Sequence, residues 1–320
     1  MQEKLRAVQV GCGARAQAHI AAMQACGAVD LIALCDQDET KLNATGDKFG
    51  IGQRYQSMSE MIRSLEPEFV NIVTPPNIRL GIVEEAIKAG APAILLEKPL
   101  ALTLQEAEHL LKLSKDRLIA VNTQYQWMPH WKKFWQLLEQ KALGEVRVIR
   151  ASTRCHILEQ GPHILDLAFK AASSSRLPIP ELLLAATNGT ESYCGITVPA
   201  DLSATVALGE ARLFLNAGPS APKVPNEDVI WYQQQVEVIG SEGRLWVSLN
   251  QGWQLWTKDG FETGGTVWAD NDGEAQRALF VELRDVLKAG TWNTFPTRLE
   301  AAMPGVKLMF ETVEKVRSKA

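Results

Sequence analysis

Two short segments carry side chains able to do acid–base work on a small molecule. The first is Leu95-Leu96-Glu97-Lys98-Pro99-Leu100, where a carboxylate and a lysine stand together at the end of an apolar run. Proline biases the residue before it away from the helical region, so Lys98 is held extended, and a cis bond ahead of Pro99 is permitted. An ammonium fixed there can hydrogen-bond a substrate oxygen and stabilise charge that develops on it. The second is Gly161-Pro162-His163-Ile164-Leu165-Asp166. It reads as a helix start, with Pro162 at the first position. His163 then lies in the first turn, where the dipole disfavours imidazolium and leaves a neutral ring able to accept a proton. Asp166 either orients that imidazole or is a solvated acid. The plain alternatives are a surface lysine and a histidine that only caps or packs.

A third segment supplies the redox partner such chemistry needs. Val8-Gln9-Val10-Gly11-Cys12-Gly13-Ala14-Arg15-Ala16 fits G-x-G-x-x-[G/A] directly after an apolar strand and opening a helix. Gly11 permits a tight turn, Gly13 lets the backbone approach a pyrophosphate, and Ala16 lets the helix pack close to the strand. The N–H groups of the first turn, at Ala14, Arg15 and Ala16, would face the phosphates. Asp36 follows Ala16 by 20 residues, at the end of the second apolar strand. A carboxylate there accepts from the adenosine ribose hydroxyls and repels a 2′-phosphate, so the expected cofactor is NAD, with NADP less favoured. Arg15 is the one side chain placed to reach a phosphate. Thr74-Pro75-Pro76-Asn77 closes another apolar strand; Thr74, Pro75 and Asn77 should line the ribose–nicotinamide side, where Glu97 and Lys98 also face. A strand-ending Pro-Pro turn explains that segment as well.

The elements that must position these groups follow from periodicity. Short apolar runs at Ala7–Val10, Asp30–Cys35, Phe69–Val73, Ala93–Leu96 and Leu118–Val121 alternate with helical stretches at Ala16–Cys26, Glu39–Phe49, Ser57–Ser64, Ile78–Ala89 and Leu104–Lys115. Strands apolar throughout and separated by helices imply a parallel sheet covered on both faces. After Asn122 the pattern changes: helices at His130–Lys141 and Pro162–Ala172, a strand at Glu145–Thr153, and a loop at Thr187–Glu191. Alternating strands follow at Leu202–Leu208, Arg212–Asn216, Gln233–Ile239, Arg244–Leu249 and Trp253–Thr257, then helices at Glu274–Ala289 and Thr297–Arg317. The expected fold is therefore α/β: a doubly wound Rossmann domain over 1–122 that binds the dinucleotide, and an α+β domain over 123–320 with a large, mostly antiparallel open sheet. All nine tryptophans lie in the second part, as core or as a sheet face covered by another subunit.

Composition narrows the classes further. A chain of 320 residues with 46% hydrophobic and 22% charged side chains is ordinary for two globular domains. Net charge is −4 and no dense Lys/Arg run exists, which argues against a nucleic-acid partner. No apolar run spans a bilayer and no signal region opens the chain, so a cytoplasmic protein is expected. Five cysteines, none in a Cys-x-x-Cys pair, fit reduced thiols. Cys155 and His156 are adjacent and point apart on a strand, so no metal site is expected. His19, His109 and His130 fall on helical stretches and read as structural or exposed.

Together, Gly11–Ala16, Asp36, Thr74–Asn77, Glu97-Lys98-Pro99 and Gly161–Asp166 resemble the Gfo/Idh/MocA family, the glucose-fructose oxidoreductase and inositol dehydrogenase group. The resemblance implies an NAD(P)-dependent dehydrogenase acting on a hydroxyl or carbonyl of a sugar, polyol or related small molecule. It also implies a homo-oligomer, dimer or tetramer. In that family the lysine and histidine matching Lys98 and His163 act at the substrate oxygen. Two departures stand out. Many members carry Asp where Glu159 stands, making Glu159 the third catalytic candidate, and many carry Arg near Gln126. The competing readings are an NAD-binding regulator or assembly protein without turnover, and an enzyme using transient oxidation to drive elimination or hydrolysis.

Overall fold

The computed structural model describes residues 3–172, 179–265 and 268–317, with side chains left aside at 268–271. Two compact units emerge. One comprises Met1–Gln124 and Gly273–Ala301, the other Tyr125–Asp272 and Ala302–Ala320.

In the first unit, β1 (Leu5–Val10), α1 (Ala14–Ala25), β2 (Val29–Cys35), α2 (Glu39–Phe49), β3 (Arg54–Tyr55) and α3 (Met58–Leu65) are followed by β4 (Phe69–Ile72), α4 (Pro76–Ala89), β5 (Ala93–Leu96), α5 (Leu104–Leu113) and β6 (Leu118–Val121). All strands are parallel, in the order β3-β2-β1-β4-β5-β6. Right-handed crossovers run one way from β1 to β3 and the other way from β4 to β6, which puts helices on both faces. That is why β1, β4, β5 and β6 are buried almost throughout. Local signals end the helices where they should: Asp38 and Ser57 cap α2 and α3, Thr103 and Glu106 form a reciprocal cap on α5, and Gly50 and Gly90 close α2 and α4 in the left-handed region.

The second unit holds α6 (Pro129–Glu139), β7 (Val146–Thr153), α7 (Ile157–Ala172), β8 (Pro180–Thr187), β9 (Thr190–Tyr193), β10 (Ile196–Pro199), β11 (Leu202–Leu208), β12 (Ala211–Ala217), β13 (Gln234–Gly240), β14 (Gly243–Ser248), β15 (Gly252–Thr257) and β16 (Gly260–Gly264). An eight-stranded sheet runs β16-β15-β14-β13-β7-β12-β11-β8, antiparallel except for the β12–β7 pair, and β9 and β10 form a separate hairpin. The turns Gly209-Glu210 and Ser241-Glu242 close the β11–β12 and β13–β14 hairpins. β8, β9, β10 and β16 were not anticipated. Part of the expected Thr187–Glu191 loop is strand β9. α8 (Trp268–Lys288) and α9 (Leu299–Arg317) complete the chain.

The tryptophans divide by environment. Trp127, Trp131, Trp135 and Trp253 are buried, whereas Trp231 is exposed and the Trp268 side chain lies outside the described residues. Trp256 carries Arg244 over its ring at 4.0 Å.

His130, on α6, is buried beside Trp131, and desolvation pushes its imidazole down from 6.5 to about 4. The unfolded chain binds that proton more readily than the folded one. The stability this group contributes is therefore whole above pH 6.5 and is lost as pH falls through the window down to about 4. At about 1.4 kcal/mol per unit the loss is of order 3 kcal/mol. Denaturant unfolding at both ends of the window should show a shallower pH slope in His130→Leu; an unchanged slope refutes the assignment.

Candidate active site

In a doubly wound sheet the strand order reverses at β1/β4, and a crevice opens there beyond the carboxyl ends. Gly11 leaves β1 at φ +91, and a Cβ on it would come within 2.2 Å of the Val73 carbonyl oxygen. Glycine is thus required for the bend itself. Gly13 differs: it is the N-cap of α1 at φ −69 and ψ 176, makes no side-chain cap bond, and has nothing within 4 Å of an added Cβ. The first N–H groups of α1 therefore open onto a recess without an internal cap, a site suited to an anion.

Asp36, just past β2, shapes this loop. Its Oδ2 accepts from the Cys12 amide at 2.8 Å and its Oδ1 from the Asp38 amide at 2.9 Å. Each carboxylate oxygen retains a lone pair for a ribose hydroxyl. Cys12, beneath the loop, has its thiol raised to about 11 by burial and by the Asp36 charge, so it stays protonated. Thr74 follows β4, and its Oγ1 is buried with no hydrogen-bond partner among the described residues. An orphaned hydroxyl beside an open glycine loop fits a bound ribose or amide. Pro75 is the N-cap of α4, and Asn77 stands exposed in its first turn rather than in a loop, because the helix starts at Pro76.

Glu97 and Lys98 follow β5 on the same edge of the sheet, across a cis Lys98–Pro99 bond. Glu97 is buried. Its Oε1 accepts from Arg15 Nε at 2.7 Å, from His19 Nε2 at 3.0 Å and from Asn122 Nδ2 at 2.9 Å, and its Oε2 accepts from the Lys98 amide at 2.7 Å. Burial alone would raise this carboxyl, but the Arg15 guanidinium and His19 bond hold it well below the usual carboxylate range. Arg15 is thereby turned onto Glu97.

In the second unit His163 is buried in α7, and its ring stacks on Tyr125 with centroids 3.9 Å apart and planes 13° from parallel. The expectation that Pro162 begins the helix is overturned: α7 starts at Ile157 and Pro162 lies inside it. Gly161 makes this tolerable. A residue before proline normally resists the helical region because its Cβ meets the ring, and glycine has none. A Cβ at Gly161 would also meet Ile157 Cδ1 at 2.7 Å, with Met309 Sδ at 3.7 Å, so Gly161-Pro162 is a packing device. His163 consequently sits beyond the first turn, and the dipole argument for its neutral form does not apply. Glu159 lies one turn earlier on α7 and stands 3.8 Å from His156 Nε2. Asp166 is not merely solvated: its Oδ2 accepts from Gln126 Nε2 at 2.6 Å, while Gln126 Oε1 accepts from Lys170 Nζ at 3.1 Å.

Two residues of the first unit escaped the sequence reading. His19, read only as structural or exposed, is fully buried and bonded to Glu97. Arg79 of α4 is buried and donates to the carbonyls of Thr74 and Pro99, joining the turns after β4 and β5. A charge between Ile78 and Leu80 in an apolar helix was the available signal.

Residues 5–124 match a family model described as an oxidoreductase family with an NAD-binding Rossmann fold. Among curated proteins, D-apiose dehydrogenase of Paraburkholderia graminis is 26% identical over 307 residues, covering 88% of this chain and 79% of the relative. An oxidoreductase structure from Agrobacterium radiobacter in complex with NAD+, L-tartaric acid and magnesium aligns at TM-score 0.82 and 20% identity, covering 99% of this chain and 96% of that one. Levoglucosan dehydrogenase in complex with NADH aligns at TM-score 0.79 and 17% identity, covering 99% and 98%. At these identities the structural likeness is one of fold.

Proposed function

We propose that this chain, whose residues 5–124 match an oxidoreductase family model with an NAD-binding Rossmann fold, is a Gfo/Idh/MocA-like NAD-dependent dehydrogenase acting on a hydroxyl or carbonyl of a sugar, polyol or related small molecule. The observation that carries this reading is the uncapped amino end of α1, open at Gly13, on the same sheet edge as Lys98. The names of two relatives, D-apiose dehydrogenase and levoglucosan dehydrogenase, support the substrate class.

Gly11 bends the chain, and the N–H groups of Ala14, Arg15 and Ala16 receive the diphosphate. Asp36 takes the adenosine ribose, while Thr74, Pro75 and Asn77 border the nicotinamide half. Bound NAD supplies the hydride acceptor at its pyridine ring. Lys98 donates to the substrate oxygen and stabilises alkoxide charge as the C–H bond is lost. His163 removes the hydroxyl proton, with Tyr125 against its ring to hold its plane. Glu159 is the acid on the same helix that can assist it. The exposed Leu184 and Phe214 of the large sheet flank Thr205 on neighbouring strands, an apolar face suited to a dimer or tetramer.

Following NADH absorbance against sugars, polyols and sugar acids, with calorimetric titration of NAD and NADP, tests the reading. No turnover of any substrate together with no dinucleotide uptake overturns it. Asp36→Ser should weaken NAD about tenfold, the worth of one charge-assisted hydrogen bond, and narrow the preference over NADP. An unchanged NAD/NADP ratio removes Asp36 from the ribose site. One observation favours a second reading, an NAD-binding protein without turnover: Gln126, near which the family resemblance implies an Arg, is held between Asp166 and Lys170. Uptake of NAD with no turnover would select it.

A further inference from the structure

The dinucleotide reading leaves a buried polar cluster of the first unit unused. Gln9 on β1, His19 on α1, Asn71 on β4, Asn122 just after β6 and Gln276 on α8 are each at most 3% exposed. Side chains like these are tolerated under a parallel sheet only when donors meet acceptors. Gln9 Nε2 gives its two hydrogens to the carbonyls of Val10 at 2.8 Å and Gly11 at 3.0 Å. Asn71 Nδ2 gives one hydrogen to Gln9 Oε1 at 2.6 Å and the other to His19 Nδ1 at 3.1 Å. With Nδ1 accepting, the ring proton of a neutral His19 sits on Nε2, 3.0 Å from Glu97 Oε1, and the Asn122 amide, 3.1 Å from the same Nε2, gives its two hydrogens to Glu97 Oε1 and Gln276 Oε1 instead. Burial lowers His19 more than its Glu97 bond raises it, so the ring is neutral and the contact is a hydrogen bond to a carboxylate. Glu97 Oε2 then receives the Lys98 amide.

The chain of bonds has two ends, the carbonyls of the glycine bend and the backbone of Lys98; within it Asn71 donates both ways and Glu97 accepts from both sides. We propose that His19 is a positioning residue, the link through which Gln9, Asn71 and Glu97 set the glycine bend and Lys98 in one register. This rests on the reading of Lys98 as the group that meets the substrate oxygen. Asn122 and Arg15 also bind Glu97 Oε1, so loss of the histidine bond does not strip the buried carboxylate of partners. The effect of that loss falls on orientation.

Two polar substitutions separate the halves of the ring. His19→Gln reaches the Nε2 position and keeps a donor for Glu97, whereas His19→Asn reaches only the Nδ1 position, keeping the Asn71 partner and losing Glu97. On enzyme saturated with NAD, H19N should lower kcat about 10- to 100-fold, the scale of a small misplacement, while substrate KM and the calorimetric Kd for NAD move less than about threefold. H19Q should recover most of that loss. In the apoprotein, nitrogen-15 histidine spectra should show His19 as the Nε2–H tautomer. Normal kcat in H19N, equal impairment of both variants, or NAD affinity lost in step with kcat each overturns the proposal. Lys98→Met run alongside keeps the two claims apart: an active K98M sinks the role of Lys98 itself, whereas an inactive K98M beside a normal H19N sinks only the positioning role.

Discussion

Gly13→Val is expected to keep the fold and lose the cofactor. The backbone at Gly13 lies at φ −69 and ψ 176, which any residue adopts, and no atom lies within 4 Å of an added Cβ. The new methyl groups therefore enter only the recess in front of α1. The exchange of a glycine N-cap for valine costs about 1 kcal/mol, a fall in melting temperature of roughly 2–4 °C. The dinucleotide loses more. Its diphosphate can no longer approach the first N–H groups, and charge-assisted hydrogen bonds of about 1.5–3 kcal/mol each are lengthened or lost. Affinity for NAD should fall at least about 100-fold in a calorimetric titration, while circular dichroism stays as in the parent. Gly11→Ala is the contrasting control. Its Cβ would stand 2.2 Å from the Val73 oxygen at a φ of +91, so it should damage folding and binding together. Unimpaired binding by G13V would mean that the phosphates do not sit there.

Lys98→Met should cost catalysis and spare the cofactor. The side chain keeps its length and loses its charge, and the buried neighbour Glu97 retains Arg15, His19 and Asn122. Removing one preorganised donor to a developing oxyanion lowers kcat by about 100- to 1000-fold. The Kd for NAD should change little, because the proposed diphosphate site is the amino end of α1 and not Lys98. His163→Asn should give a comparable loss and also remove the limb of the pH–rate profile that reports the base. A K98M enzyme that turns over normally would leave the family resemblance intact and the assigned chemistry wrong.

Much of the first unit was legible because its signals are local. The bend at Gly11, the open Gly13 and Asp36 are spaced by a strand, a turn and a helix, and such spacings are set by backbone geometry alone. Uninterrupted apolar strands such as Phe69–Ile72 and Ala93–Leu96 announce burial on both faces, hence a parallel sheet. The misreadings came where a distant partner decides. Gly161-Pro162 has the composition of a helix start, yet the packing of Gly161 against Ile157 and Met309 carries the helix through it. The exposed, weakly patterned strands β8 and β16 exist because β11 and β15 offer them an edge.

The order of residues alone determined the glycine loop after β1, the acid that follows it, the alternation of strand and helix, and the lysine held by a following proline. Each depends on atoms within a few residues, so spacing is enough. Only the tertiary structure decided that α8 returns to the first unit with Gln276, that Arg15 turns to Glu97, that Arg79 clamps two turns, and that His19 joins Asn71 to Glu97. Those bonds join groups on separate strands and helices. A buried polar side chain takes whichever partner the packed chain brings within reach, and no local pattern names that partner in advance.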